Sequence, residues 1–129
     1  MSCLIDTSVL IEIEKKNYTV LSKLEGLNLV KDEFYITSPS YTEFCFGFLK
    51  ISRDRLNAEI ERLEKYKLLN TSKNSSKLLA EIKYYLSKNG IMIPVFDLLI
   101  ASIALDCKMP LITLDKHFKR IPGLDVILI

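Results

Sequence analysis

The chain has 129 residues, of which 49% are hydrophobic and 26% charged, and its formal net charge at pH 7 is +2. This length and composition predict one folded domain and exclude a disordered chain, and the small net charge does not by itself indicate a nucleic-acid partner. The apolar run 91–105 is interrupted by Pro94 and Asp97 and is too short for a membrane span. With no apparent signal peptide and an odd number of cysteines, we expect a cytoplasmic protein with free thiols.

Short apolar runs alternate along the chain with stretches of helical periodicity. The runs predict strands at 2–5, 33–36, 68–70, 110–114 and 125–129. Helices are predicted from Val9, at 19–24, from 40 to about 51, from 52 to about 67, at 72–88 and from 97 to about 108, with a helical turn at 116–121. This alternation predicts an α/β fold with a central parallel sheet of four to five strands, flanked by helices on both faces.

The helix from Ser40 is apolar around nearly its whole circumference. One face carries Tyr41, Phe44, Cys45, Phe48 and Leu49, and the opposite side carries Phe46. We therefore expect it to be buried on two sides, or to leave an apolar surface for a partner. Glu43 lies beside Phe46, past the first turn, where an acidic side chain caps nothing.

Three aspartates, Asp6, Asp97 and Asp115, each follow a short apolar run. Strand ends and the starts of the helices that follow share one edge of a parallel sheet, so we expect these residues and Glu43 to lie at that edge. Each aspartate alone has another explanation, since capping a helix stabilises by about 1 kcal/mol. Glu43 alone is explained by pairing with a buried Lys or Arg.

Four carboxylates at one edge would repel one another by roughly 3–4 kcal/mol per close pair at an effective dielectric constant of about 20. A divalent cation is the natural counter-charge, and ligands that are all oxygen favour Mg²⁺ or Mn²⁺ over zinc. Sites of this kind commonly act on phosphates, with the metal activating water. We expect Thr7, Ser8 and Thr113 to hold the carboxylates in place by hydrogen bonds.

These residues resemble the PIN domain, most closely the VapC-type toxins of prokaryotic toxin–antitoxin pairs and their archaeal relatives. The similar motifs are LIDTS at 4–8, TEF at 42–44, FDLLIASIA at 96–104 and LITLDKHF at 111–118. The resemblance runs from Leu4 to the C-terminus and implies a single PIN-like domain over 1–129. It implies a metal-dependent ribonuclease whose catalytic, metal-binding residues are Asp6, Glu43, Asp97 and Asp115, assisted by Thr7, Ser8 and Thr113.

The resemblance also implies partners. It implies a homodimer and, if the chain is a toxin, a small antitoxin protein that occludes the site. The fourth acidic position, here Asp115, varies within the family and is often asparagine in toxin members.

Basic residues indicate where RNA would lie. Lys116, Lys119 and Arg120 directly follow Asp115 and are expected to contact phosphates. The basic stretch 50–77 either lines an RNA groove or is a solvated helix surface, in which Glu61 and Lys65 have the spacing of an ordinary ion pair. We expect His117 to be a partly exposed structural residue rather than a general base, because a metal-bound hydroxide needs no such base.

Two other interpretations remain open. A HAD-type phosphatase also begins with an aspartate after an apolar strand, but it needs a second aspartate two residues later, where this chain has Ser8. A catalytically idle PIN-like scaffold would bind RNA or protein without chemistry, but such a scaffold would not require all four acidic positions to be filled.

Overall fold

The computed structural model of the chain describes residues 2–29 and 33–129. Its strands are Cys3–Ile5 (β1), Phe34–Thr37 (β2), Lys67–Leu69 (β3), Leu111–Thr113 (β4) and Val126–Leu128 (β5). Its α-helices are Thr7–Glu14 (α1), Tyr18–Glu25 (α2), Ser38–Leu49 (α3), Arg53–Leu63 (α4), Lys73–Lys88 (α5) and Val95–Cys107 (α6), and a 3₁₀ helix spans Lys116–Arg120. The predicted elements are present, with ends shifted by a few residues.

Several helices begin where short polar side chains satisfy free backbone N–H groups. The Thr37 hydroxyl accepts from the N–H of Ser40 at 3.2 Å at the start of α3. The Ser52 hydroxyl accepts from the N–H of Arg55 at 3.0 Å at the start of α4, and Ser72 forms a capping box at the start of α5. These caps fix the helix starts locally, each by about 1 kcal/mol.

The five strands form one parallel sheet in the order β3-β2-β1-β4-β5. In the sheet, β2 and then β3 lie on one side of β1, and β4 and then β5 lie on its other side. The strand order therefore reverses between β1 and β4, which pair through Leu4–Leu111 and Ile5–Ile112. In parallel α/β sheets, the crevice at such a reversal is the usual place for a functional site.

Helices cover both faces of the sheet, as predicted. Side chains of β1 alternate between two apolar clusters: Leu4 packs with α5 and α6, whereas Cys3 and Ile5 pack with α1, α2 and α3. Helix α6 is the most apolar helix, and its residues 100–104 are all buried. Within the described ranges, no helix has the length and apolar character needed to cross a membrane.

Helix α3 is not buried on two sides, so that expectation was wrong. Phe44 is fully buried, but Phe46 is 61% exposed and Leu49 is 41% exposed. Helix α3 packs against α1, α4, α6 and β2, and these two side chains lie on the surface that those elements leave uncovered. What remains is the alternative, an apolar surface available to a partner.

Candidate active site

Asp6 lies directly after β1 and is held by hydrogen bonds to both carboxylate oxygens. Its Oδ1 accepts from the Ser8 hydroxyl at 2.6 Å and from the N–H of Val9 at 3.1 Å, and Oδ2 accepts from the Thr113 hydroxyl at 2.5 Å. Burial raises the pKa of Asp6, while the bonds from Ser8 and Thr113 act in the opposite direction. The carboxylate caps α1 and is only 3% exposed, so its orientation is fixed.

Glu43 approaches the same edge from the second turn of α3. The Thr7 hydroxyl donates to its Oε1 at 2.7 Å, which ties the start of α1 to α3. Within the described part of the chain, Glu43 forms no ion pair with Lys or Arg. Pairing with a buried base, the alternative explanation for this residue, is therefore not seen.

Asp97 lies in the first turn of α6, where Pro94 is the N-cap residue and no side chain caps the helix. The capping explanation is therefore wrong for Asp97, although Asp6 and Asp115 both cap. The carboxylate of Asp97 makes no hydrogen bond or ion pair with any described residue. Its pKa is raised to about 6, first by burial and then by the charges of Glu43, Asp115 and Asp6. An unpartnered carboxylate thus stands near three others.

Asp115 follows the end of β4 and caps the 3₁₀ helix. Its Oδ1 accepts from the backbone N–H of His117 at 2.9 Å and lies 2.7 Å from Nδ1 of the same residue's ring. Its own N–H donates to the Thr113 hydroxyl at 2.9 Å, the same hydroxyl that donates to Asp6. The ends of β1 and β4 are therefore joined by polar contacts at the reversal of strand order.

The donors at this edge are suited to a hydrated, hard divalent ion. The candidate ligands are all carboxylate oxygens, the type that Mg²⁺ and Mn²⁺ prefer, and the charges of Glu43, Asp115 and Asp6 raise the pKa of Asp97. Among residues 2–29 and 33–129, no three acidic, His or Cys side chains form a set ready to hold an ion directly. Mg²⁺ usually keeps several waters and contacts one or two carboxylates. The arrangement fits that kind of binding and does not fit an all-protein cage.

Residues 3–124 match the model of the PIN domain. The chain belongs to the PIN-domain family. It is 32% identical to ribonuclease VapC of Rickettsia bellii over 133 residues, which cover 98% of this chain and 96% of that protein. Among solved structures it is similar to VapBC2 from Rickettsia felis bound to a DNA fragment from their promoter, with a TM-score of 0.86, 25% identity and coverage of 100% and 99%. DNA-bound VapBC from Salmonella typhimurium has the same fold, with a TM-score of 0.85 at 22% identity and coverage of 98% and 97%.

These matches confirm the resemblance to VapC-type PIN domains that the motifs suggested. Nucleases of the PIN family are metal-dependent. This PIN domain is thus a homologue of a ribonuclease, and its four acidic motif residues lie at the edge where the strand order reverses.

The basic residues that the sequence analysis considered for RNA binding fall into two groups. Lys116, Lys119 and Arg120 lie in the 3₁₀ helix that begins directly after Asp115. The stretch 50–77 lies partly on α4 and the start of α5, and several of its bases are already paired. Of the two groups, the first is the one next to the carboxylates.

The paired bases of the stretch 50–77 contact two buried acids, Glu14 and Glu59, whose burial was not predicted from the sequence. The side chain of Glu14 is 6% exposed and lies 3.3 Å from Lys65, while that of Glu59 is 4% exposed and lies 3.5 Å from Arg62. The expected pair of Glu61 with Lys65 is therefore replaced by a contact with α1. The burial of Glu59 was indicated by its spacing, because it stands three residues after Leu56 and four before Leu63, on the buried face of α4.

A cleft of about 750 Å³ in this PIN domain lies away from the four carboxylates. It opens between α1, α2, β2 and α4, and its lining is mainly apolar. The lining includes Ile13, Leu21, Leu24, Phe34 and Tyr66. Because this cleft contains none of the acidic motif residues, the candidate active site is the sheet edge and not this cleft.

Proposed function

We propose that this PIN domain is a metal-dependent endoribonuclease that hydrolyses phosphodiester bonds in RNA, with 1–129 as its nuclease domain. The observation that carries the proposal is Asp97, a carboxylate without a hydrogen-bonding partner whose pKa is raised to about 6 by burial and three neighbouring acids. Such a group is costly to keep charged unless a cation is bound beside it. The 32% identity to ribonuclease VapC of Rickettsia bellii supports the same activity.

In this proposal, Asp6, Glu43, Asp97 and Asp115 hold a hydrated Mg²⁺ or Mn²⁺, part of them through its bound water. Asp6 and Glu43 are oriented in advance by the hydroxyls of Ser8, Thr113 and Thr7, so little side-chain order has to be gained on binding. When bound, the ion activates water and neutralises charge on the phosphate.

The bases beside the carboxylates would bind the substrate. Lys116, Lys119 and Arg120 follow Asp115 in the 3₁₀ helix, where they contact phosphates that flank the bond to be cut. Contacts to phosphates fix the position of the strand without reading its sequence. Replacing these bases therefore weakens RNA binding more than it changes the choice of cleavage site.

We further propose that the protein is the toxin of a toxin–antitoxin pair that acts in the cytoplasm, with a small antitoxin protein as its partner. The similar chain from Rickettsia felis belongs to a VapBC2 assembly, which supports such a partner. The exposed Phe46 and Leu49 on α3 provide an apolar surface for the homodimer that the family implies. The HAD-type phosphatase interpretation receives no support from the family match.

The proposal is tested by incubating purified protein with an RNA that contains both paired and unpaired segments. We expect internal cleavage with Mg²⁺ or Mn²⁺, no cleavage with EDTA, and no cleavage by Asp97→Asn. The matched control is Asp106→Asn, on the same helix but away from the four acids and hydrogen-bonded to Asn74 and Ser72. This control should cleave like wild type. If the wild-type protein neither cleaves the RNA nor binds Mn²⁺ in calorimetry, the result would favour the catalytically idle scaffold.

A further inference from the structure

The only histidine of the chain contacts the fourth acidic residue through two separate groups. Oδ1 of Asp115 accepts from the backbone N–H of His117 at 2.9 Å and lies 2.7 Å from its ring Nδ1. For the ring to donate in this contact, Nδ1 must carry the hydrogen. Oδ2 of Asp115 accepts no hydrogen bond from any described residue.

This arrangement gives the two oxygens of Asp115 different tasks. Oδ1 is committed to His117, whereas Oδ2 is available to the carboxylate edge. The charge of Asp115 acts on both Asp6 and Asp97, so the group lies close enough to contribute there. The backbone of Asp115 is also anchored, because its N–H donates to Thr113 at 2.9 Å.

We infer that His117 is a positioning residue of the metal centre, which holds Oδ1 of Asp115 so that Oδ2 is presented to the ion. The inference rests on the proposed function, since it concerns the same site. It requires neither contact of His117 with RNA nor proton transfer by it. Polar groups that orient a metal ligand from outside typically change metal affinity by about 10–100-fold when they are removed. An exposed contact without this role contributes little, and its loss would leave metal affinity unchanged.

The test uses two substitutions that place an amide N–H at different points of the former ring. In His117→Asn the side-chain nitrogen lies near the position of Nδ1, whereas in His117→Gln it lies near that of Nε2. Mn²⁺ binding is measured by calorimetry for both variants and for His117→Ala. We expect His117→Ala and His117→Gln to bind Mn²⁺ about 10-fold more weakly or worse, and His117→Asn to retain most of the affinity. Thermal unfolding in EDTA verifies that each variant is folded.

The possible outcomes separate this inference from the proposed function. If wild type and all three variants bind Mn²⁺ alike, His117 does not position Asp115, while the metal centre stands. If Gln restores binding and Asn does not, the histidine acts through Nε2 and the inference is overturned. If wild type binds no Mn²⁺, the proposed function fails and this inference fails with it.

A measurement without metal tests the contact itself. In ¹⁵N NMR spectra of the metal-free protein, we expect Nδ1 of His117 to carry a hydrogen that exchanges slowly, and Asp115→Ala to abolish this protection. A ring whose Nδ1 hydrogen exchanges as fast in wild type as in the variant would overturn the inference.

Discussion

Replacing Asp97 by asparagine is expected to stabilise the metal-free protein at neutral pH. Burial and three acidic neighbours raise the pKa of Asp97 from its ordinary value of 3.8 to about 6. The folded state therefore binds this proton more tightly than the unfolded state, and stability falls as the pH rises through the interval between the two values. Asparagine resembles the protonated carboxyl at every pH, so the variant avoids this loss.

The size of the effect follows from the two pKa values. Their difference corresponds to about 3 kcal/mol at about 1.36 kcal/mol per pKa unit. Asp97 is partly exposed, and screening by solvent lowers this figure, so we expect a gain of about 1–2 kcal/mol above about pH 6. Below about pH 4, where Asp97 is protonated in both states, the gain disappears.

The assay is urea unfolding in EDTA at about pH 7.5 and about pH 4, for wild type, Asp97→Asn and the control Asp106→Asn. Hydrogen bonds from Asn74 and Ser72 lower the pKa of Asp106, so its replacement should bring no gain at either pH. An Asp97→Asn variant no more stable than wild type at the higher pH would refute the argument that burial and the neighbouring acids make the charged carboxylate of Asp97 costly. Added Mn²⁺ should stabilise wild type more than the variant.

Three further substitutions test other parts of the structure. Thr113→Val leaves Oδ2 of buried Asp6 without its hydrogen-bond donor and should lower the free energy of unfolding in urea by about 1–3 kcal/mol. Thr113→Ser keeps the hydroxyl and should not lower it. Ser52→Ala removes the cap of α4 and should cost about 1 kcal/mol in the same assay; no loss would mean that the cap is not formed in solution. Phe46→Glu adds a charge to the exposed surface of α3 and should convert a dimer to a monomer in sedimentation without loss of stability, and an unchanged dimer would place the interface elsewhere.

Much of the fold was predictable because it depends on local pattern. Leu4 and Ile5 are apolar and precede Asp6, and the same order recurs at β4, so the strands and the acids at their ends could be located together. Parallel topology then places those strand ends at one edge without any knowledge of individual contacts.

The hydrogen bonds at the site were not predictable in detail. Thr7 follows Asp6 in sequence, yet its hydroxyl donates to Glu43, 36 residues away. Which acid each hydroxyl contacts depends on how α1 packs against α3, and hydrophobic periodicity does not determine that packing. The contact of His117 with Asp115 depends in the same way on the backbone of the 3₁₀ helix.

Burial was predictable for faces of helices but not for single residues that depart from the pattern. Phe46 looked like a core residue by type and is exposed, because no neighbouring element covers that part of α3. Glu59 looked like a surface residue by type and is buried, with Arg55 at 3.3 Å and Arg62 at 3.5 Å on the same helix supplying the opposite charge. The exposure of Phe46 depends on tertiary neighbours that a local window of sequence does not encode, whereas the partners of Glu59 lie within such a window.

The most direct test of the metal centre is the position of Mn²⁺ in crystals of the protein, located by anomalous scattering. We predict a peak at the edge between β1 and β4, ligated by Asp97 together with other acids of the set Asp6, Glu43 and Asp115, and absent from crystals of Asp97→Asn. A peak at another position, or no peak in wild-type crystals at saturating Mn²⁺, would contradict a metal centre formed by these acids.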